Sequence, residues 1–311
     1  MESSRKTIIF SIALIILIFT CIIPTSAGTY SITQSSKYDI STDGTIFKDK
    51  VPIHHDISNW TNPDLEDLKK KMNAAKWKLN AHYDSNHTTL KVFQDEIDKS
   101  DIHFHAGHGL NIPIIVGGHM ELKNHPLPNS AVTANDVKGK WNHCKWFIIH
   151  SCHVLEDQNW ANVLKGSNTH GILGFGSTTY TSGNFLSDYG EKITNGWTLA
   201  KAWEKTSYDQ FKDAPENIIV RTFYKNFNQY LNDKLNAPST NTTEDIVMCD
   251  MSVGQTKEEK DIVTKCTFIQ SGRKVIINQN GEITEEITKR VKGRHVVENI
   301  SYNEHKRNEE L

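Results

Sequence analysis

Two short stretches carry the residue types that can do chemistry. "HFHAGHG", residues 103–109, sets three histidines and two glycines behind a run of alternating residues, and "WFIIHSC", residues 146–152, ends an apolar run in serine and cysteine. An imidazole within reach of a thiol makes a Cys/His pair, in which the ring accepts the thiol proton and later protonates the leaving group. His108 and Cys152 are the candidates. Gly109 completes the set: its bare backbone can approach a substrate carbonyl, and its N–H together with that of Cys152 would form an oxyanion hole.

The first heptapeptide also supports a metal. His103, His105 and His108 have the i, i+2, i+5 spacing of the His-x-His-x-Asp-His signature of metallo-β-lactamase-like hydrolases, with His170 as a later ligand. Gly107 occupies the aspartate position of that signature, which removes a carboxylate from a second metal site. His103 and His105 alternate with Ile102 and Phe104, so both point to one strand face while His108 lies beyond the strand end.

These residues need elements to position them. Asp101 to Ala106 and "KWFIIHSC" both read as strands, the second too short for a helix and rich in aromatic and β-branched residues. "GILGFGS", 171–177, reads as another buried strand. Helices are expected from Asn62 as cap with Pro63 in the first turn, over Thr89–Lys99, around Thr133–Trp141, over Trp160–Lys165, and in "DYGEKITNGWTLAKAWEKT". Residues 28–58 read as irregular, with one strand near Ile46–Ile53. Strands alternating with helices imply a layered α/β fold around a mostly parallel sheet, with functional groups collecting beyond the carboxyl ends of its strands. His108 and Cys152 would then face one crevice.

A hydrophobic strand ending in His-Gly, then a second ending in a small residue and Cys, resembles the caspase-like cysteine peptidases, which include caspases, metacaspases, legumain, gingipain and separase. The matching stretches are "IHFHAGHG" and "WFIIHSC", and "GWTLAKAWEKT" is similar to a helix of several bacterial members. The resemblance covers roughly residues 85–210. It implies a caspase-like fold, His108 as catalytic histidine, Cys152 as nucleophile, a peptide or protein substrate and no cofactor. Many members carry glycine two residues after the cysteine, where Val154 stands here.

The chain has 311 residues with 37% hydrophobic and 23% charged, and a formal charge of -2, which argues against a nucleic-acid partner. Arg5 and Lys6 precede an apolar run from Thr7 to Ile23 and the small residues Thr25, Ser26 and Ala27. That is the layout of a secretory signal peptide over residues 1–27, cleaved after Ala27, although the run also suits an uncleaved membrane anchor. Export permits a disulfide, for which Cys249 and Cys266 are the candidates; Cys144 and Cys152 lie along one strand, too far apart to bridge. Asn59, Asn86, Asn241 and Asn299 head Asn-x-Ser/Thr sequons compatible with an exported surface. The α/β domain is expected over residues 28–236. Residues 237–311 are expected to form antiparallel hairpins, turning at Ser271-Gly272 and Asn280-Gly281, and a charged tail. His54-His55-Asp56 offers a carboxylate behind the site. A non-enzymatic reading stands beside both chemistries: an extracellular binding module of the same fold with an inactive pair.

Overall fold

Short apolar runs become the strands of one central sheet, and the amphipathic stretches between them cover its two faces. The computed structural model describes residues 27–35, 37–39, 54–85, 87–109, 114–115, 131–180, 183–238, 245–254 and 262–287, with backbone alone at 37–39, 54–56, 114–115 and 131. The strand expected at Ile46–Ile53, most of the N-terminal leader and the charged C-terminal tail lie outside those residues.

In chain order the elements begin with β1 (Gly28–Ser35), β2 (Lys37–Asp39), β3 (His54–Asp56), α1 (Ser58–Ala74), β4 (Trp77–Tyr83) and β5 (Ile102–Gly107). Then come β6 (Ile114–Ile115), β7 (Ala131–Val132), α2 (Ala134–Val137), β8 (Trp146–His150), β9 (Gly171–Phe175), α3 (Phe185–Thr194) and α4 (Leu199–Phe211). The chain continues through β10 (Ile218–Tyr224), α5 (Phe227–Asn232), β11 (Val247–Val253), β12 (Val263–Phe268), β13 (Lys274–Asn278) and β14 (Ile283–Ile287).

The central sheet has ten strands in the order β14-β13-β12-β11-β10-β9-β8-β5-β1-β4. From β4 to β9 every pairing is parallel, as β-α-β connections require, and from β9 to β14 every pairing is antiparallel. The fold is thus mixed α/β with helices flanking a central sheet, and the C-terminal antiparallel set continues that sheet through β10. Cys249 and Cys266, directly opposite each other on β11 and β12, are joined by a disulfide.

Each face of the sheet carries its own core. On one, Tyr30, Ile32, Phe104, Ile148 and Phe175 pack under α1, α3 and α4 with Leu68, Tyr189 and Trp203. On the other, Phe147, Ile149 and Ile172 pack against Phe93, Trp141 and Trp160. Fully buried side chains of this size contribute roughly 1.5–3 kcal/mol each.

Five sequence expectations are corrected. β1 occupies a stretch read as irregular, because its alternating Tyr30 and Ile32 are both fully buried between β4 and β5 while Ser31 and Thr33 on its other face hydrogen-bond to His103 and His105. α1 begins at Ser58, not at Asn62, and contains Pro63; the Asn62 side chain instead accepts from Gln34 of β1. The segment expected as one helix over Thr89–Lys99 is mainly a π-turn (Val92–Glu96) running into a 3₁₀ turn, and the short helix expected over Trp160–Lys165 is 3₁₀ and spans Gln158–Val163. The helix around Thr133 is a single turn, held by the reciprocal Thr133/Asp136 capping box.

Candidate active site

The site is built where four parallel strands end side by side. β5 pairs with β8 so that Ala106 stands opposite His150, and β1 pairs with β5 so that Ser35 stands opposite Gly107. His108-Gly109 and Ser151-Cys152 therefore leave the sheet at the same edge, on neighbouring strands. The His108 N–H donates to the Ser35 carbonyl at 3.2 Å, which continues the ladder one residue past β5 and fixes where the histidine begins.

Gly109 then lies directly on the cysteine turn. A β-carbon built on it would stand 2.2 Å from the Cys152 carbonyl oxygen, 2.7 Å from Val154 Cγ2 and 3.1 Å from Ser151 Cβ. Only glycine permits that approach. Val154 is fully buried and packs against Gly109, and the left-handed residue of the turn is His153, at φ 58°.

Cys152 is a free, half-buried thiol. Its Sγ donates to the Thr179 carbonyl at 3.3 Å, and the Thr179 N–H approaches the sulfur at 3.4 Å. Burial pushes the thiol pKa up, opposed by the Thr179 contact and by the cysteine's own N–H.

Thr179 belongs to the loop after β9, the fourth strand to end at this edge, and the sequence reading missed it. The signal was the polar "STTYTS" that follows a buried parallel strand. His153 ties that loop to the cysteine turn: its N–H donates to Ser177 O at 2.9 Å, Nδ1 is hydrogen-bonded to Glu156 Oε2 at 2.9 Å, and Nε2 to Thr178 Oγ1 at 3.0 Å. Arg221 braces the turn from below, donating to Leu155 O while its guanidinium grips Asp250 with two nitrogens.

The other histidines divide by face and by end. His150 stacks on Phe185 with centroids 4.3 Å apart, and burial depresses its pKa to about 4. His103 and His105 are fully buried, hydrogen-bonded to Ser31 and Thr33 at 2.8 Å each, and packed edge-on against Phe93. Burial drives His103 well down and His105 to about 3, so both are neutral donors and acceptors within the core.

The zinc constellation is not assembled. His108 follows the carboxyl end of β5, whereas His170 precedes the amino end of β9 and is hydrogen-bonded to Asp233 at 2.8 Å. With β5, β8 and β9 parallel, those two histidines lie at opposite edges of the sheet. Among the described residues no group of three or more His, Cys, Asp or Glu is placed to hold a metal. Cys144 is buried before β8, at that same far edge, where burial raises its thiol pKa strongly. The side chains of His54, His55 and Asp56 lie outside the described residues.

Solved structures similar to this one are distant in sequence. A secreted C11 cysteine protease from Bacteroides thetaiotaomicron, in complex with an irreversible peptide inhibitor, is 8% identical with a TM-score of 0.41, over 63% of this chain and 66% of that one. An inactive zymogen C11 protease from Parabacteroides distasonis is 12% identical with a TM-score of 0.39, over 65% of this chain and 63% of that one. The Arg-specific cysteine proteinase gingipain R is 9% identical with a TM-score of 0.36, over 76% of this chain and 66% of that one. The chain thus spans just under two thirds of the length of each. No curated protein is significantly similar in sequence. The model of the family DUF6345, a domain of unknown function, matches residues 67–258, more than half of the chain and both site motifs, so the chain belongs to the DUF6345 family.

Proposed function

We propose that this protein is an exported, caspase-like cysteine peptidase in which Cys152 is the nucleophile and His108 the base. The observation that carries the reading is the seating of Gly109 on the Cys152 carbonyl, which joins the His-Gly and Ser-Cys motifs at adjacent strand ends. Cys152 Sγ attacks the scissile carbonyl while His108 takes the thiol proton. The ring then returns the proton to the leaving amine, and water releases the acyl group from sulfur. The Gly109 and Cys152 N–H groups stabilise the negative charge on the carbonyl oxygen in both steps. In this reading the histidine acts as a general base during attack. No cofactor enters this reaction. Residues 1–27 direct export in this reading, and residues 28–236 form the catalytic domain.

Cleavage of a diverse peptide library, read by mass spectrometry, tests this function. Wild type is expected to cut a recurring subset of peptides, and Cys152→Ala none. Equal cleavage by both proteins would sink the assignment. An uncut library would favour the inactive binding module.

A further inference from the structure

A second site lies away from the thiol. Between α4 and the C-terminal strands is a cavity of about 250 Å³. It opens beside β12, four strands along the sheet from β8, roughly 20 Å at the usual inter-strand spacing.

Its lining mixes three chemistries. Met251 and Ile262 give it a buried apolar floor, while Trp197 and Tyr208 form aromatic walls. Trp197 is 37% exposed, large for a tryptophan whose neighbour Trp203 is fully buried, and Lys201 Nζ lies over its ring, 5.9 Å from the centroid. Glu204 stands at the base, accepting from Tyr230 Oη at 2.6 Å; burial pushes its carboxyl up to about 7, opposed by its hydrogen bonds to Tyr230 and Thr264 and last by Lys201. Lys205 is engaged by Asp209 at 2.9 Å. Across the opening, the β13–β14 turn presents the primary amides of Gln279 and Asn280.

Lys201 and Lys205 bring ammonium groups to the lining, Lys205 already paired with Asp209, while Glu204 sits between carboxyl and carboxylate near neutral pH. A ligand of either sign would meet its own charge. A neutral ligand whose groups both donate and accept would satisfy the lysine, the carboxyl and the amides together. An aromatic wall beside those groups suits a ring with an apolar C–H face. We propose that this cavity binds a single neutral hexopyranose unit, stacked on Trp197 and hydrogen-bonded to Glu204, Lys201 and Asn280. The volume, at the small end for ligand pockets, fits one sugar ring, hence the terminal unit of a glycan.

Saturation-transfer NMR on the full chain, with the methyl glycosides of glucose, galactose, mannose and N-acetylglucosamine at millimolar concentration, tests the site. Acetate and methylammonium serve as charged controls. At least one glycoside should receive magnetisation, and Trp197→Ala and Asn280→Ala, both at exposed positions, should each weaken its binding about ten-fold. Cys152→Ala should bind as wild type does. The proposal is overturned if none of the glycosides binds, if only the charged controls bind, or if Trp197→Ala leaves the affinity unchanged.

Discussion

The backbone of Gly109 rests on the carbonyl of Cys152 so closely that a methyl group would come within 2.2 Å of the oxygen. Gly109→Ala must therefore push the cysteine turn away from β5. The expected result is a folded protein, less stable by about 1–3 kcal/mol, the usual range for overpacking. Its Cys152 should no longer react with a peptide-based electrophile. Urea denaturation and intact-mass labelling check the two halves separately.

His153 should matter for rate more than for folding. It accepts a left-handed backbone and links Glu156 and Thr178 across the two loops that bracket the sulfur. His153→Gly keeps the favoured backbone and removes the link. Peptidase kinetics should show kcat reduced by about ten-fold or more, a barrier change near 1.4 kcal/mol, with the melting temperature little altered. Unchanged kcat would mean that the bridge does not position Cys152.

The buried histidines make the fold sensitive to acid. His103, His105 and His150 are held neutral by burial, with His105 near 3 and His150 near 4. Their folded pKa values lie below the unfolded value of about 6.5, so the unfolded chain binds more protons as pH falls through that window. Stability from these groups is full above about pH 6.5 and is lost as pH drops toward 4. Asp64, which accepts from the N–H groups of Leu186 and Ser187 at the start of α3, is raised to about 6 by burial and works the other way. Thermal unfolding between pH 8 and pH 5 should show a net fall, and His105→Leu should make that fall shallower.

The disulfide clips β11 to β12 across 17 residues. A loop of that length is worth about 3 kcal/mol by chain entropy. Reduction, or the Cys249→Ser/Cys266→Ser pair, should lower unfolding free energy by that order. The reaction of Cys152 with the electrophile should persist, since the disulfide lies beyond β10.

Much of this fold was legible because its signals were local. The runs ending at Gly107 and His150 were apolar, short and β-branched, and a parallel sheet places such ends together. β1 was not legible: its Ser31 and Thr33 look like loop residues until His103 and His105 are known to lie opposite them. The same pairing explains the histidine-rich heptapeptide, in which two imidazoles hydrogen-bond to Ser31 and Thr33 inside the core and the third follows the end of β5. Thr179 was missed because its contact with Cys152 uses main-chain atoms, so the polar stretch after β9 marks the loop but not the residue within it. The start of α1 was misplaced because Asn62 and Pro63 form a good helix-start pattern, yet Gln34 on a distant strand claims the asparagine.

The most direct measurement is covalent labelling of the full chain with a panel of peptidyl acyloxymethyl ketones, read by peptide mass spectrometry in wild type, His108→Ala and Cys152→Ala. A working dyad predicts one adduct, on Cys152 and not on Cys144, formed at least about a hundred-fold more slowly in His108→Ala, the lower end of general-base contributions. Labelling of Cys152 at the same rate with and without His108 would contradict the dyad, as would an adduct confined to other residues.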